Sequence, residues 1–144
     1  MKASLVPGLE STLSFQIPAS KTVPQLYPEA AEFQSMPAVF ATGFLVGLVE
    51  WACMRVIAPH LDVPAEQSVG TQVNLSHSAA TPPGMTVTVT ARLDRVDGRR
   101  LSFSVVASDG VDEISRGTHE RFVIDTARFN AKVALKQPPP SAAT

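Results

Sequence analysis

The chain has 144 residues, of which 44% are hydrophobic and 17% charged, and its formal net charge is −1. This length and composition predict one globular domain and not a disordered chain, and the near-neutral charge argues against a general nucleic-acid binder. A single cysteine, Cys53, excludes a disulfide within one chain and a cysteine-based zinc site. Because the N-terminus has no sustained apolar stretch, we expect no signal peptide and a cytoplasmic protein.

The first predicted element is a strand over residues 11–17, where polar and apolar residues alternate. A proline-containing stretch, 21–37, separates it from an apolar run that predicts a helix over about 39–58, ending at Pro59. The run is about as long as the shortest membrane span, but it contains Glu50 and Arg55. We interpret it as a core helix that is surrounded by other elements, and we expect no membrane partner.

The rest of the chain predicts strands, because polar and apolar residues alternate over 72–79, 85–93 and 101–105 and a last strand fits 114–124. Asp-Gly pairs at 97–98 and 109–110 separate the last three strands, which predicts an antiparallel meander. A meander needs one face covered, and one helix cannot bury itself. We therefore predict an α+β protein in which a curved antiparallel sheet wraps around one long helix, the hot-dog arrangement.

This fold fills residues 1–136, and the proline-rich tail, 137–144, is expected to be disordered. A single sheet layer leaves a sheet edge and one flank of the helix to be covered. This topology favours a homodimer.

Glu50 is the one charged residue between Val39 and Met54. Ionising a carboxylate in apolar surroundings is costly, so its pKa should rise unless a partner holds it. Helical spacing places Gly43 and Gly47 on the same stripe as Glu50, leaving a trough for a backbone or a thin ligand. A carboxylate in such a place is typical of catalytic sites, although structural pairs also perturb pKa values.

Alternation places His77 on the inward face of its predicted strand, facing the helix. The alternative is that His77 is a satisfied core residue. Thr42, in the first turn of the helix, could either cap the helix or bond a substrate. Thr42 and Glu50 are eight residues apart, about 12 Å along a helix axis, so a ligand or a second subunit must bridge them if both are helical. Gly70 could expose a backbone N–H to an oxyanion or simply end a loop.

Four segments resemble a known family. They are Lys-Thr-Val-Pro-Gln-Leu-Tyr-Pro-Glu (21–29), Val-Phe-Ala-Thr-Gly-Phe-Leu-Val-Gly-Leu-Val-Glu-Trp-Ala-Cys (39–53), Thr-Pro-Pro-Gly-Met-Thr-Val-Thr-Val-Thr-Ala (81–91) and Asp-Gly-Val-Asp-Glu-Ile-Ser-Arg-Gly-Thr-His-Glu-Arg (109–121). The chain closely resembles the fluoroacetyl-CoA thioesterases of the hot-dog fold from about residue 15 to about residue 136. The resemblance implies a homodimeric thioesterase that hydrolyses a short acyl-CoA without a cofactor or a metal. Fluoroacetyl-CoA would give fluoroacetate and coenzyme A, a detoxifying reaction that confers fluoroacetate resistance.

The resemblance also implies roles for individual residues. Thr42, Glu50 and His77 would form the catalytic set, with Glu50 as nucleophile or as the base that activates water. Gly70 would contact the thioester through its backbone, and Arg121 would lie at the active site near the substrate or CoA. A lid over the acyl group would contain Phe33 and, in place of the family's second phenylalanine, Met36.

Methionine fills space less rigidly than phenylalanine, so Met36 puts the choice of fluorine over hydrogen in question. One alternative is therefore a general short-chain acyl-CoA thioesterase with loose selectivity. Others are a hot-dog protein that binds an acyl-CoA without catalysis and a hot-dog dehydratase. The phosphates of CoA would meet scattered basic residues, for which the candidates are Arg99, Arg100, Arg128 and Lys132.

Overall fold

The computed structural model describes residues 1–138 and 140, which form one antiparallel sheet and three helices. The strands are β1 (Glu10–Gln16), β2 (Glu66–Leu75), β3 (Thr86–Asp97), β4 (Arg100–Ser108) and β5 (Glu113–Asp125). The helices are α1 (Ala31–Gln34), α2 (Thr42–Ile57) and α3 (Thr126–Ala134).

The long helix α2 forms the core with the inward face of the sheet. Its buried side chains recur at helical spacing, and the helix packs against β3 and β1. Residues 42–60 are long and apolar enough to cross a membrane by length and composition alone. The buried stripe against the sheet is instead the packing of a core helix. The buried residues of α2 are Leu45, Leu48, Val49, Ala52, Cys53, Val56 and Ile57.

The strand order is β1-β3-β4-β5-β2, so the three consecutive strands β3, β4 and β5 form the predicted meander. Gly98 and Gly110 have φ values of 60° and 88° in the two connecting turns, a conformation that favours glycine. The predicted helix and antiparallel sheet are therefore confirmed. β2 lies at one edge and pairs with β5, with a bulge between Gly70 and Gln72.

Two boundaries differ from the prediction. The helix begins at Thr42 and not at residue 39, because the Phe40 N–H donates to the Thr81 carbonyl at 2.8 Å and Phe40 also bridges to Thr22. The strand predicted over 72–79 corresponds to β2, which begins earlier, at Glu66. Its regular pairing with β5 ends at Leu75.

Other parts of the chain were not predicted or lie outside the description. Helix α3 was not predicted, and none of its residues is buried. Of the tail expected to be disordered, residues 139 and 141–144 lie outside the described residues.

Candidate active site

The hydroxyl of Thr42 lies 2.7 Å from Nδ1 of His77, which is hydrogen-bond distance. Thr42 is the first residue of α2, but in the described part of the chain no side chain caps this helix. Its hydroxyl therefore bonds the imidazole, which approaches from the segment after β2, instead of acting as a cap. A hydroxyl beside an imidazole is an arrangement in which the ring can take up or return a proton.

The ring of His77 is half-buried, and this burial lowers its pKa below the ordinary 6.5. A neutral imidazole at neutral pH can act as a base. Its Nε2 is also buried and has no hydrogen-bond partner within residues 1–138 and 140. Buried ring nitrogens are normally bonded, so Nε2 lacks the partner that such an atom normally has. His77 and Thr42 line one cavity of about 290 Å³.

Glu50 has a fixed cationic partner. Its Oε2 accepts a hydrogen bond from Nη1 of Arg121 at 3.0 Å, and the two side chains are 39% and 4% exposed, respectively. Arg121 also donates to Ser68, from Nε to the hydroxyl at 2.7 Å and from Nη2 to the carbonyl at 2.8 Å. A buried guanidinium needs such partners on every side. Arg121 is thus the partner that the isolated carboxylate requires, and the guanidinium is held rigidly.

Gly70 lies where the carboxylate of Glu50 approaches β2. A Cβ at this position would be 2.9 Å from Glu50 Oε2, 3.3 Å from His119 Cε1 and 3.4 Å from Arg121 Nη1. Gly70 precedes the β2 bulge, which leaves Thr71 without a partner in the register with β5. Bulges are frequent beside active sites, where they redirect the chain. The glycine therefore makes room for the acid and does more than end a loop.

His119 belongs to the same cluster, although the sequence did not identify it as a site residue. The ring is 2% exposed, with Nδ1 2.7 Å from the Gln72 carbonyl and Nε2 3.2 Å from Arg121 Nη1. The carbonyl can only accept and the guanidinium can only donate, so Nδ1 carries the proton and Nε2 accepts. Burial, opposed by the bond to Gln72, lowers the pKa of His119, consistent with this neutral form. The one sequence signal was the alternation in β5, which allowed an inward charge.

The two predicted lid residues lie on the segment around α1. Met36 is 49% exposed and lines the cavity of Thr42 and His77. Phe33 is half-buried and stacks on Tyr27 with 5.9 Å between ring centroids, and it is not among the residues that line this cavity. Met36 thus lies at the cavity, and Phe33 lies about one helical turn before it in the chain.

The predicted catalytic residues form two separate clusters within one chain. Thr42 and His77 lie at the start of α2, whereas Glu50 lies two turns later, about 12 Å along the axis. Glu50, Gly70 and His119 line a second cavity, of about 250 Å³. Since both Thr42 and Glu50 are helical, they cannot touch within one chain.

The family model described as "Fluoroacetyl-CoA-specific thioesterase" matches residues 24–127. The chain is also 58% identical over 138 residues to the fluoroacetyl-CoA thioesterase of Streptantibioticus cattleyicolor, and the match covers 96% of this chain and 99% of that protein. The chain belongs to the fluoroacetyl-CoA-specific thioesterase family. The family predicted from the four sequence segments is therefore confirmed.

Solved structures agree with this membership in the fluoroacetyl-CoA-specific thioesterase family. A structure of fluoroacetyl-CoA thioesterase superposes with a TM-score of 0.91 at 58% identity, covering 94% of this chain and 99% of that one. A variant of that thioesterase was solved with acetyl-CoA, at a TM-score of 0.90 and 57% identity, covering 93% of this chain and 100% of that one. A hot-dog-like protein from Thermanaerovibrio acidaminovorans, 21% identical, superposes with a TM-score of 0.76 over 92% of this chain and 93% of that one. The predicted hot-dog fold is confirmed.

Proposed function

We propose that this protein hydrolyses fluoroacetyl-CoA to fluoroacetate and coenzyme A. Family membership supports a thioester hydrolase, and one observation supports the chemistry in this chain: the carboxylate of Glu50 is held by Arg121 on one side and faces a cavity on the other. A fixed carboxylate that is open to a cavity can attack a carbonyl or activate water. A fluoroacetate-resistance role follows if this substrate is the physiological one.

Hydrolysis requires that the C–S bond breaks and that the oxygen of water ends on the acyl carbon. In one route Glu50 takes a proton from water while the oxygen of water bonds the carbonyl carbon. In the other, Glu50 itself bonds that carbon and water then cleaves the resulting anhydride. In both routes the electron pair of the C–S bond leaves with the CoA thiolate, which is then protonated. The Thr42–His77 pair orients the acyl group and exchanges protons, and the Gly70 backbone faces the oxyanion.

We further propose a homodimer in which two chains complete each site. Trp51 and Met54 on α2 are 42% and 44% exposed, and Val73 on the edge strand β2 is 44% exposed. A second copy would cover these apolar side chains and the open backbone of the edge strand. A twofold interface places residue i against residue j and j against i. It can therefore bring Glu50 of one copy to the Thr42–His77 pair of the other, twice in each dimer.

Selectivity for the fluorinated substrate depends on the lid. Met36 lines the Thr42–His77 cavity and is half exposed, which favours a second candidate function, a general short-chain acyl-CoA thioesterase. A flexible thioether restricts the position of a small acyl group less than a rigid ring does. Fluoroacetyl-CoA remains the first proposed substrate because the chain is 58% identical to a fluoroacetyl-CoA thioesterase.

That the protein needs no cofactor and that it is cytoplasmic both remain predictions. Within residues 1–138 and 140, no three His, Cys, Asp or Glu side chains meet in a group that could hold a metal ion. Burial raises the pKa of the Cys53 thiol to about 12, so this thiol belongs to the core and not to the chemistry.

The proposal is tested by thiol release from fluoroacetyl-CoA and from acetyl-CoA, measured side by side. We expect faster release from fluoroacetyl-CoA, loss of activity in Glu50→Ala, and no loss in the control Glu120→Ala, a carboxylate on β5 outside the cluster. Equal rates with the two thioesters would favour the general thioesterase, and no release from either would reject hydrolysis.

A further inference from the structure

Two buried side-chain polar atoms have no hydrogen-bond partner among residues 1–138 and 140: Nε2 of His77 and Oγ of Ser115. Ser115 lies on β5 and is 1% exposed, so its hydroxyl is shielded from solvent. Buried side-chain polar atoms are normally bonded, and each one that is not requires an explanation. The positions of the two residues explain both atoms together.

His77 lies directly opposite Ser115 across two strand-like segments. The residues before and after His77 donate their N–H groups to the carbonyls of the residues after and before Ser115, at 3.0 and 2.8 Å. These four residues are Ser76, Ser78, Arg116 and Ile114. The bonds continue the antiparallel pairing of β2 with β5 beyond its regular end. Residues that face each other in such a pair have their side chains on the same face, with Cβ atoms about 4.5–5.5 Å apart.

The shared face is the inward face of the sheet. Ser115, His119 and Arg121 are all buried and follow the alternation of β5. His77 is half-buried, and its ring meets Thr42 of α2 on the same side. The orphan atoms of His77 and Ser115 are not bonded to each other in the described conformation. At the separation of cross-strand neighbours, rotation about the side-chain bonds or one bridging water molecule is enough to join them.

A hydroxyl partner distinguishes His77 from the other histidine of the site. His119 lies between a carbonyl that can only accept and a guanidinium that can only donate, so its ring is held in one neutral form. Nδ1 of His77 instead lies 2.7 Å from the hydroxyl of Thr42, and a hydroxyl can both donate and accept. A second hydroxyl at Nε2 would keep both nitrogens bonded in either neutral tautomer and in the protonated ring.

We propose that Ser115 is a positioning residue whose hydroxyl bonds Nε2 of His77 and allows the buried ring to gain and lose a proton. In the protonated ring both N–H groups donate, one to Thr42 and one to Ser115. Without Ser115, protonation would leave a buried N–H of a cation without an acceptor. The ring can then take up and return a proton at Nδ1, the nitrogen that faces Thr42 and the cavity. This inference rests on the proposed function and extends it by one residue.

Few charges surround the ring. Apart from His77, the residues that line its cavity are uncharged. The charged residues that flank Ser115 on β5, Glu113 and Arg116, are exposed and pair with each other at 3.1 Å. In the proposed dimer, Glu50 of the other copy would also face the ring. Within one chain, burial lowers the pKa of His77, and an acceptor at Nε2 would oppose that effect.

The sharpest test compares two variants that differ only in the hydroxyl. Ser115→Thr keeps it, and Ser115→Val has the same shape without it. A pH titration of the His77 ring signals by NMR should give a pKa near that of wild type in Ser115→Thr. In Ser115→Val and Ser115→Ala it should be lower by about one pH unit or more, the effect of one hydrogen bond to a charged group. Equal pKa values in Ser115→Thr and Ser115→Val would show that the assignment is wrong.

The pH profile of hydrolysis provides a second readout. The acid limb of kcat/KM reports the essential base of the free enzyme, so it should move to lower pH in Ser115→Ala. We expect kcat at neutral pH to fall about tenfold with KM little changed. Ser104→Ala removes a hydroxyl from the outward face of β4 and should leave both quantities as in wild type. A fall of kcat that is the same at every pH, with the acid limb in place, would indicate packing alone and contradict the proposal.

The two measurements separate this inference from the proposed function. If wild type cleaves no thioester but the pKa of His77 falls in Ser115→Val and not in Ser115→Thr, the hydrolase proposal fails and the contact of Ser115 with His77 stands. If wild type cleaves fluoroacetyl-CoA while Ser115→Ala changes neither the pKa of His77 nor the pH profile, the assignment of Ser115 fails alone.

Discussion

The carboxylate of Glu50 occupies the space that a side chain at position 70 would need. Oε2 lies 2.9 Å from the point where a Cβ on Gly70 would be, closer than such atoms approach in proteins. The contact links the centre of α2 to the edge strand β2 at its bulge. It makes the position of the acid dependent on a residue that has no side chain.

Gly70→Ala should therefore lower activity without unfolding the protein. The nearest atom is the end of a flexible side chain, so Glu50 can move away by a few tenths of an ångström or more. Displacement of a catalytic group by about 1 Å can cost roughly 100-fold in rate. We expect a loss of kcat approaching that size with a melting temperature near that of wild type, measured by steady-state kinetics and thermal unfolding.

Gly117→Ala is the matched comparison, because the same substitution there meets backbone. A Cβ on Gly117 would be 1.9 Å from the Asn74 carbonyl oxygen, and strand backbone cannot swing aside. Overpacking of this kind costs about 1–3 kcal/mol or more. We expect Gly117→Ala to lower the melting temperature by several degrees; a stable Gly117→Ala beside an unfolded Gly70→Ala would contradict both interpretations.

His119 should act through Arg121 and not on the substrate. His119→Gln keeps an acceptor near the position of Nε2, whereas His119→Asn keeps a donor near Nδ1 and loses the bond to Arg121. A hydrogen bond to a charged group is worth enough that its loss should lower kcat about tenfold in His119→Asn. KM should change little, and His119→Gln should recover most of the rate. Equal losses in both variants would indicate packing alone.

The proton position on His119 offers a spectroscopic check that does not depend on activity. The hydrogen bonds to Gln72 and Arg121 require the neutral ring with its proton on Nδ1. ¹⁵N spectra of the ring nitrogens at neutral pH should show this tautomer. A protonated ring, or a proton on Nε2, is incompatible with the geometry described above.

Stability should fall on mild acidification. Burial lowers the pKa of both His77 and His119 in the folded protein below the ordinary 6.5. The unfolded chain therefore binds more protons once the pH drops below about 6.5, so this contribution to stability is present above that pH and is lost as the pH falls towards the folded pKa values. Chemical denaturation can be measured from about pH 7.5 to about pH 5, a range that spans the ordinary histidine pKa of about 6.5. The free energy of unfolding should decrease as the pH falls through this range. In His119→Gln the free energy of unfolding should decrease less over the same range. A wild-type free energy of unfolding that stays constant over this range would contradict the prediction.

Met36→Phe should sharpen the choice between substrates. Met36 lines the cavity of Thr42 and His77, and a phenylalanine there would supply the rigid ring that the family resemblance implies for a lid. We expect the ratio of kcat/KM for fluoroacetyl-CoA to that for acetyl-CoA to rise by about tenfold, within the range that one change of pocket shape can supply. Met36→Leu, similar in size but without the ring, is the control. A ratio that is the same in all three proteins would show that position 36 does not set selectivity.

Local patterns of the sequence were enough to predict the fold. Alternation predicted the strands, Asp-Gly pairs predicted the turns, and a long apolar run predicted the helix that the sheet encloses. The start of α2 was placed too early because Phe40 pairs with distant backbone, which no local pattern records. Helix α3 was missed; it is short, and none of its residues is buried in the core.

The candidate site was harder to predict because its contacts join residues that are far apart in the chain. Glu50 stood out as an acid in an apolar run, and the need for a partner followed from that alone. The partner itself, Arg121, depends on the pairing of β2 with β5. The same pairing, with its bulge, places Gly70 and His119 at the carboxylate, and this register cannot be derived from the alternation of either strand.

A mixture of two inactive variants tests the shared site most directly. Thr42→Val and Glu50→Gln each remove one part of the site, and both should be inactive on fluoroacetyl-CoA by themselves. If each site takes Glu50 from one chain and Thr42–His77 from the other, a mixed dimer contains one intact site. Equimolar co-refolding should then recover about one quarter of wild-type thiol release, since half of the dimers are mixed and half of their sites are intact. Absence of recovery, with mixed dimers demonstrated by mass spectrometry, would contradict a site built from two chains.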